Sequence, residues 1–167
     1  AVPASYYLME ETNAVSVQDG TFTYPAKKRE DIVLKDIPRG DYKQIKFSIG
    51  IDAKHNDNLS LQAGELSQLS GMTNISWMWH TSYIFTSIQG TVNEGTVTRN
   101  FKAETGLNAN YKTISVILAQ PLKIGSSSLA KMAFDVDVAK LLDAVDLITT
   151  PVVGASQAAT MATIATN

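Results

Sequence analysis

The chain has 167 residues, enough for one domain with a real hydrophobic core. Charged residues make up 18% and the formal net charge is −2, so overall electrostatics give no reason to expect nucleic acid or an anionic membrane surface as partner. Cysteine is absent, which excludes disulfides, thiolate metal sites, iron–sulfur clusters and thiol catalysis. No apolar run approaches the roughly 20 residues of a membrane helix. The first residue is Ala rather than Met, so a processed or trimmed product is expected.

In chain order, Ser5-Tyr6-Tyr7-Leu8-Met9 reads as a short aromatic strand ended by the polar Glu10-Glu11-Thr12-Asn13. Gln18-Asp19-Gly20 is a turn signal, and residues 25–31 read as a charged loop in which Lys27-Lys28-Arg29 is partly cancelled by Glu30 and Asp31. Residues 31–35 suit a short strand, closed by Ile37-Pro38-Arg39-Gly40-Asp41. Ile45, Phe47, Ile49 and Ile51 then alternate with Gln44, Lys46, Ser48 and Gly50, which predicts a strand with one buried and one wet face. Residues 52–71, rich in Asn, Ser, Gln and Gly, read as a loop or a set of short turns that faces a partner.

Further on, residues 83–89 read as a strand, 90–95 as a turn and 96–103 as the hairpin partner. Asn108-Ala109-Asn110 turns the chain into an alternating strand over 111–118, and Ala130, Met132, Phe134, Val136 and Val138 make a last period-two run. Asp137 is placed to cap a short helix with Leu141, Leu142 and Val145 on its apolar side. Ser156 is placed to cap a second helix over 157–166 with Met161 and Ile164 on one face. The fold class that results is all-β, an antiparallel β-sandwich-like single domain over 1–167 with one or two short C-terminal helices.

Few residues carry chemistry. His55 and His80 are the two histidines, and without a nucleophile elbow they do not make a Ser–His relay. Asp135 and Asp137 are better read as a solvated face plus a helix cap than as an acid/base pair. The segment from Asp52 to Asn58 offers oxygen ligands, but it lacks the glycine and closing Glu of a calcium loop and reads as a hydrogen-bonded turn. Both tryptophans fall in Ile75-Ser76-Trp77-Met78-Trp79-His80-Thr81-Ser82-Tyr83-Ile84-Phe85. In a strand, Trp77 and Trp79 share one face and anchor a core, while His80 faces the other side, where imidazole suits copper.

These landmarks resemble the MbnP-like family, extracytoplasmic copper-binding proteins of methanobactin systems with many lipoprotein relatives. The corner Asp36-Ile37-Pro38-Arg39-Gly40-Asp41-Tyr42 resembles that family's Ile-Pro, Gly and Tyr, and Ile49-Gly50-Ile51-Asp52 with Asn56 resembles the end of its leading strand. Gly64-Glu65-Leu66 resembles its Gly-x-Leu, and Trp77-Met78-Trp79 followed by Tyr83-Ile84-Phe85 and Gly90 resembles its aromatic block, with Ser82 in place of the usual Gly. The resemblance runs from Ser5 to the end of the chain. It implies a β-sandwich, export to the periplasm or cell surface, an outer-membrane lipid anchor upstream, and an additional N-terminal strand and C-terminal tail beyond this chain.

In copper-binding members one tryptophan is oxidised to kynurenine and binds the metal beside histidines. The matching candidates are Trp79 or Trp77 with His80. Two departures bear on this: Glu104 stands where the family often has His, and His80 where it usually has Asn. A carboxylate is a hard ligand and a poor stand-in for imidazole at Cu(I).

Two functions follow. One is a non-catalytic extracytoplasmic accessory domain that docks to an outer-membrane or surface protein complex, with no nucleic acid and with membrane contact only through a lipid anchor. The other is a copper-binding protein that uses Trp79 or Trp77 with His80, joined by His55 or Glu104. No enzymatic activity and no cofactor other than copper are expected.

Overall fold

Charge complementarity builds the first sheet. The computed structural model describes residues 5–17, 19–62, 64–67, 82–125 and 130–167. Its first four strands are β1 (Glu10–Thr12), β2 (Val15–Val17), β3 (Phe22–Tyr24) and β4 (Lys27–Arg29). In the antiparallel β1–β4 pair, Glu10 lies opposite Arg29 and Glu11 opposite Lys28. Opposite charges directly across a ladder stabilise it. Lys28 Nζ lies 3.4 Å from Glu11 and 3.0 Å from Glu30, and Arg29 Nη2 donates to Glu65 Oε2 at 2.7 Å. Glu10 is the buried member: its Oε1 receives no hydrogen bond and lies 3.7 Å from Lys27 Nζ.

Three readings of this region are corrected. The strand starts at Glu10, where the sequence pattern ends it, and residues 5–9 form no ladder. Lys27–Arg29 is a strand rather than part of a loop, because carboxylates across the sheet neutralise it. Residues 31–35 form no strand either, and Ile32, Val33 and Leu34 are all exposed. The turn at Asp19-Gly20 is found as expected: both residues have left-handed φ, 54° and 84°, between the antiparallel β2 and β3.

Contacts divide the chain into two compact units, Ala1–Pro38 with Leu61–Ser76, and Arg39–Ser60 with Trp77–Asn167. The first contains the strands just described. In the second lie β5 (Gly40–Ile49), β6 (Ile84–Glu94), β7 (Val97–Gly106), β8 (Lys112–Ile124) and β9 (Val152–Val153), with helices α1 (Ala53–Asn56) and α2 (Ala158–Thr166). Strands β6 and β7 form the expected hairpin, extended parallel by β9 along Lys102 and Ala103. Its turn is shorter than the glycines suggest. Glu94 pairs with Val97, so Gly95 at φ 57° opens a two-residue loop, while Gly90 sits inside β6 with Phe101 over it.

One face of this sheet carries the core. Ala103 and Val153 pack with Leu147, Met161 and Ile164, flanked by Val92, Phe101, Leu141, Leu142 and Val145. Met161 and Ile164 therefore do what their spacing predicts. Asp137 caps a turn at Val138–Leu142 by accepting from Lys140 N at 3.4 Å, although that turn is a 3-10 helix. The cap of α2 is Gln157 rather than Ser156, and the Gln157 carboxamide oxygen accepts from Gly154 N at 3.1 Å.

The second sheet is the antiparallel ribbon β5–β8. Ile45 lies opposite Val116 and Phe47 opposite Ile114, so the predicted apolar face exists. It is only half covered: Phe47 is 39% exposed, and of the four alternating positions Ile51 alone is buried. Alternation specifies which side chains share a face, and burial then needs another layer to meet them. The run at 130–138 was expected to be a strand but has no ladder. Phe134 touches Phe47 edge-on with ring centroids 5.7 Å apart, yet it stays half exposed. The fold is all-β and sandwich-like, antiparallel apart from β9, with a C-terminal helix.

Candidate metal and docking site

The segment that offers calcium-like oxygen ligands is a single helical turn. Asn56 N and Asp57 N donate to the carbonyls of Asp52 and Ala53 at 2.9 Å each, which closes α1. Asp52, the residue before the helix, does not cap it with its side chain. Its carboxylate instead accepts from His55 Nδ1, with its two oxygens at 3.0 and 3.1 Å. Because a carboxylate only accepts, this contact puts the proton on Nδ1 and leaves Nε2 as the lone-pair nitrogen of the neutral ring. That is the arrangement by which a carboxylate orients a metal-ligating histidine.

Next to His55 lies a polar network that sequence reasoning placed only in part. Asn56 is 1% exposed. Its Oδ1 accepts from Tyr83 N at 2.8 Å, and its Nδ2 donates to Asn108 Oδ1 at 2.8 Å. Asn108 Nδ2 then donates to both carboxylate oxygens of Asp57 at 2.8 Å. Asn110 Nδ2 completes the group by donating to the Gly106 carbonyl at 2.8 Å. Every member of the Asn56 side chain is thus satisfied, as a buried amide requires. The network fixes α1, and with it His55, to Tyr83 just before β6 and to the turn after β7. The Asn108-Ala109-Asn110 turn signal pointed to the backbone there, but nothing in the pattern announced that Asn108 reaches Asn56.

Burial tightens the same corner. Tyr83 is almost fully enclosed, and that burial pushes its phenol above the ordinary 10.0. Gly50 follows β5 at φ 101°, and a Cβ there would lie 2.4 Å from the Phe85 ring, so only glycine fits beneath it.

Glu104 is the residue in place of the family histidine. It is buried on β7 and Lys102 Nζ lies 2.6 Å from its Oε1, so its charge is already balanced. Among the described residues no three or more His, Asp or Glu side chains gather as a metal site. His55 is the one oriented imidazole there, and a single imidazole with its Asp52 carboxylate does not make a copper site. Trp77, Trp79 and His80 lie outside the described residues.

The docking half of the expectation rests on other surfaces. The segment after β5 is a set of short helical turns, α1, Leu59–Leu61 and Gly64–Leu66, rather than one open loop. In the second unit Phe47, Ile49, Ile114 and Ile117 of the β5–β8 ribbon and Phe134, Val136 and Val138 are exposed; in the first unit Ile32, Val33 and Leu34 are exposed.

No curated protein and no solved structure matches the chain. Comparison with protein-family models matches residues 1–161 to MbnP. That span takes in the Ile-Pro corner, the Gly50–Phe85 contact, Asn56 and the tryptophan stretch, and the chain belongs to the MbnP family.

Proposed function

We propose that this chain is a non-catalytic extracytoplasmic accessory domain that docks to a protein assembly of the outer membrane or cell surface. The observation that carries the reading is the half-open apolar face of the β5–β8 ribbon. Phe47, Ile49 and Ile114 stand partly in water there, and Ile117 on the opposite face is 81% exposed. Clustered exposed apolar side chains mark interaction surfaces more often than they mark free solvent. Among the described residues no helix is long and apolar enough to cross a membrane, so attachment in this reading comes from a lipid anchor and from the partner. A pull-down from solubilised membranes tests it. The chain should return a partner protein, and Phe47→Asp should lose it; return of the chain by itself counts against docking.

A second reading is copper binding by Trp79 or Trp77 with His80, supported by family membership and by the Asp52 carboxylate on His55. Donors among the described residues do not suffice, so this reading depends on His80 and a modified tryptophan. Intact mass distinguishes it, since kynurenine formation replaces one carbon of the indole by one oxygen. Metal analysis after copper loading should lose stoichiometry in His80→Ala, and unchanged stoichiometry there removes His80 from the site.

A further inference from the structure

Leu107 stands in a backbone conformation that its side chain disfavours. Among the described residues, Asp19, Asp36, Leu107 and Ala144 are the non-glycine residues with left-handed φ. A short polar side chain tolerates that region by bonding locally, as aspartate does, whereas a bulky residue there is a true outlier. Leu107 departs further still. At φ 67° its ψ is 144°, outside the left-handed helical well and close to territory that glycine alone occupies freely. Packing does not account for this, because the residue is 36% exposed.

Its neighbours do account for it. The Gly106 carbonyl accepts from Asn110 Nδ2 at 2.8 Å, and the Leu107 carbonyl accepts from Asn110 N at 3.0 Å. Both peptide units that flank the Leu107 Cα are therefore tied to Asn110, which is buried. The next residue is held as well. Asn108 Oδ1 accepts from Asn56 Nδ2, and Asn108 Nδ2 donates to the Asp57 carboxylate, at 2.8 Å each. A residue in such a region persists only where its surroundings over-determine it.

We propose that the corner at 106–110 is a strained latch. The contacts of Asn108 with Asn56 and Asp57 hold Leu107 in its disfavoured backbone, and their loss lets the corner relax and frees α1, with His55, from the end of β7. Strain and clamp are one two-state element. It depends on neither docking nor copper.

Glycine relieves strain of this kind and alanine does not, since any Cβ meets the same clash. At an ordinary position glycine is the weaker of the two by about two- to fivefold in the unfolding equilibrium, through the freedom of the unfolded chain. At position 107 the order should reverse. In urea titrations of the full chain, Leu107→Gly should show an unfolding constant about threefold or more below that of Leu107→Ala. In an Asn108→Ala background the reversal should vanish. Asp57→Ala, which removes acceptors from an exposed residue, should shrink it and gives the reading even where Asn108→Ala folds badly. Hydrogen exchange reads the clamp: the Tyr83 amide, held by Asn56, should exchange about threefold or more slowly in Leu107→Gly than in Leu107→Ala. Glycine weaker than alanine at 107 overturns the strain. A reversal of equal size in the parent, Asn108→Ala and Asp57→Ala backgrounds overturns the latch, because the strain is then held elsewhere. So does Tyr83 exchange that is indifferent to the residue at 107.

Discussion

Two long antiparallel strand pairs in the second unit differ in one respect. Each has an alternating apolar face and an irregularity in its register, near Thr86 in β6–β7 and near Gln44 in β5–β8. On β7, Ala103 is covered by Met161 and Ile164 of α2 and by Val153 of β9. On β5, the equivalent face meets Phe134 and is otherwise half open. What separates a core sheet from a half-open ribbon is thus the presence of a helix more than fifty residues away. Coverage is a property of the whole chain, while alternation is a property of the strand.

Truncation on each side breaks or sharpens this contrast. Met161 is fully buried. Met161→Ala should cost about 2–5 kcal/mol, the range for emptying a buried site. Phe47→Ala should cost about 1 kcal/mol or less, since its ring keeps much of its water contact in the fold. Urea denaturation of the two variants measures both. Equal losses would mean that the ribbon face is as well covered as the core and that the contrast is wrong.

Glycines give the next largest difference. Gly50 and Gly90 each lie under an aromatic ring, of Phe85 and Phe101 respectively. At Gly90 a Cβ would stand 3.0 Å from ring atoms at the far end of Phe101, and the backbone is not left-handed. At Gly50 the clash is 2.4 Å, it reaches the root of the Phe85 ring, and φ is 101°. Gly50→Ala should therefore cost about 3 kcal/mol and Gly90→Ala about 1 kcal/mol, by overpacking plus backbone strain at the first and mild overpacking at the second. Thermal unfolding of the pair measures this, and a reversed order would refute the assigned cause.

Much of the fold was legible in the sequence wherever pattern and partner agree. The β6–β7 hairpin, the Asp19-Gly20 turn, the apolar side of α2 and the all-β class follow from period and turn chemistry. Legibility failed where pairing is electrostatic or absent. The strand Lys27–Arg29 has no hydrophobic alternation, and only its carboxylate partners, distant in sequence, make it one. The run at 130–138 alternates well and still forms no ladder, because hydrogen bonds need a neighbour that periodicity does not supply. At the candidate site, His55 and Asn56 were visible as residues. The Asp52 carboxylate on His55 was not, since it depends on side-chain orientation within one helical turn, and neither was the reach of Asn108 to Asn56, which is set by tertiary approach.

The Asn56 network is next in expected size. Asn56→Ala leaves the Tyr83 N–H and the Asn108 carboxamide oxygen without their partner, and the N–H is buried. The cost should be about 2 kcal/mol, that of stranding buried polar groups. Hydrogen exchange at the Tyr83 amide should speed up well beyond the global change. An exchange rate that tracks global stability alone would show that the network does not hold β6 to α1.

The smallest effect is a pH dependence from Tyr83 itself, on the packed side of the comparison. Its phenol titrates above the ordinary 10.0 because burial disfavours the phenolate. In the alkaline range between the two values, the unfolded chain has lost this proton and the folded chain still holds it. The unfolded state then binds fewer protons, so stability falls as pH rises past the unfolded value. Below that value both states are protonated and the group contributes no slope. Tyr83→Phe removes the proton, so its stability should fall less steeply above about pH 10 while matching the parent's pH dependence at neutral pH. Urea midpoints across that range measure it, and parallel alkaline slopes would mean that water reaches the phenol and that the corner around Asn56 is looser than its hydrogen bonds imply.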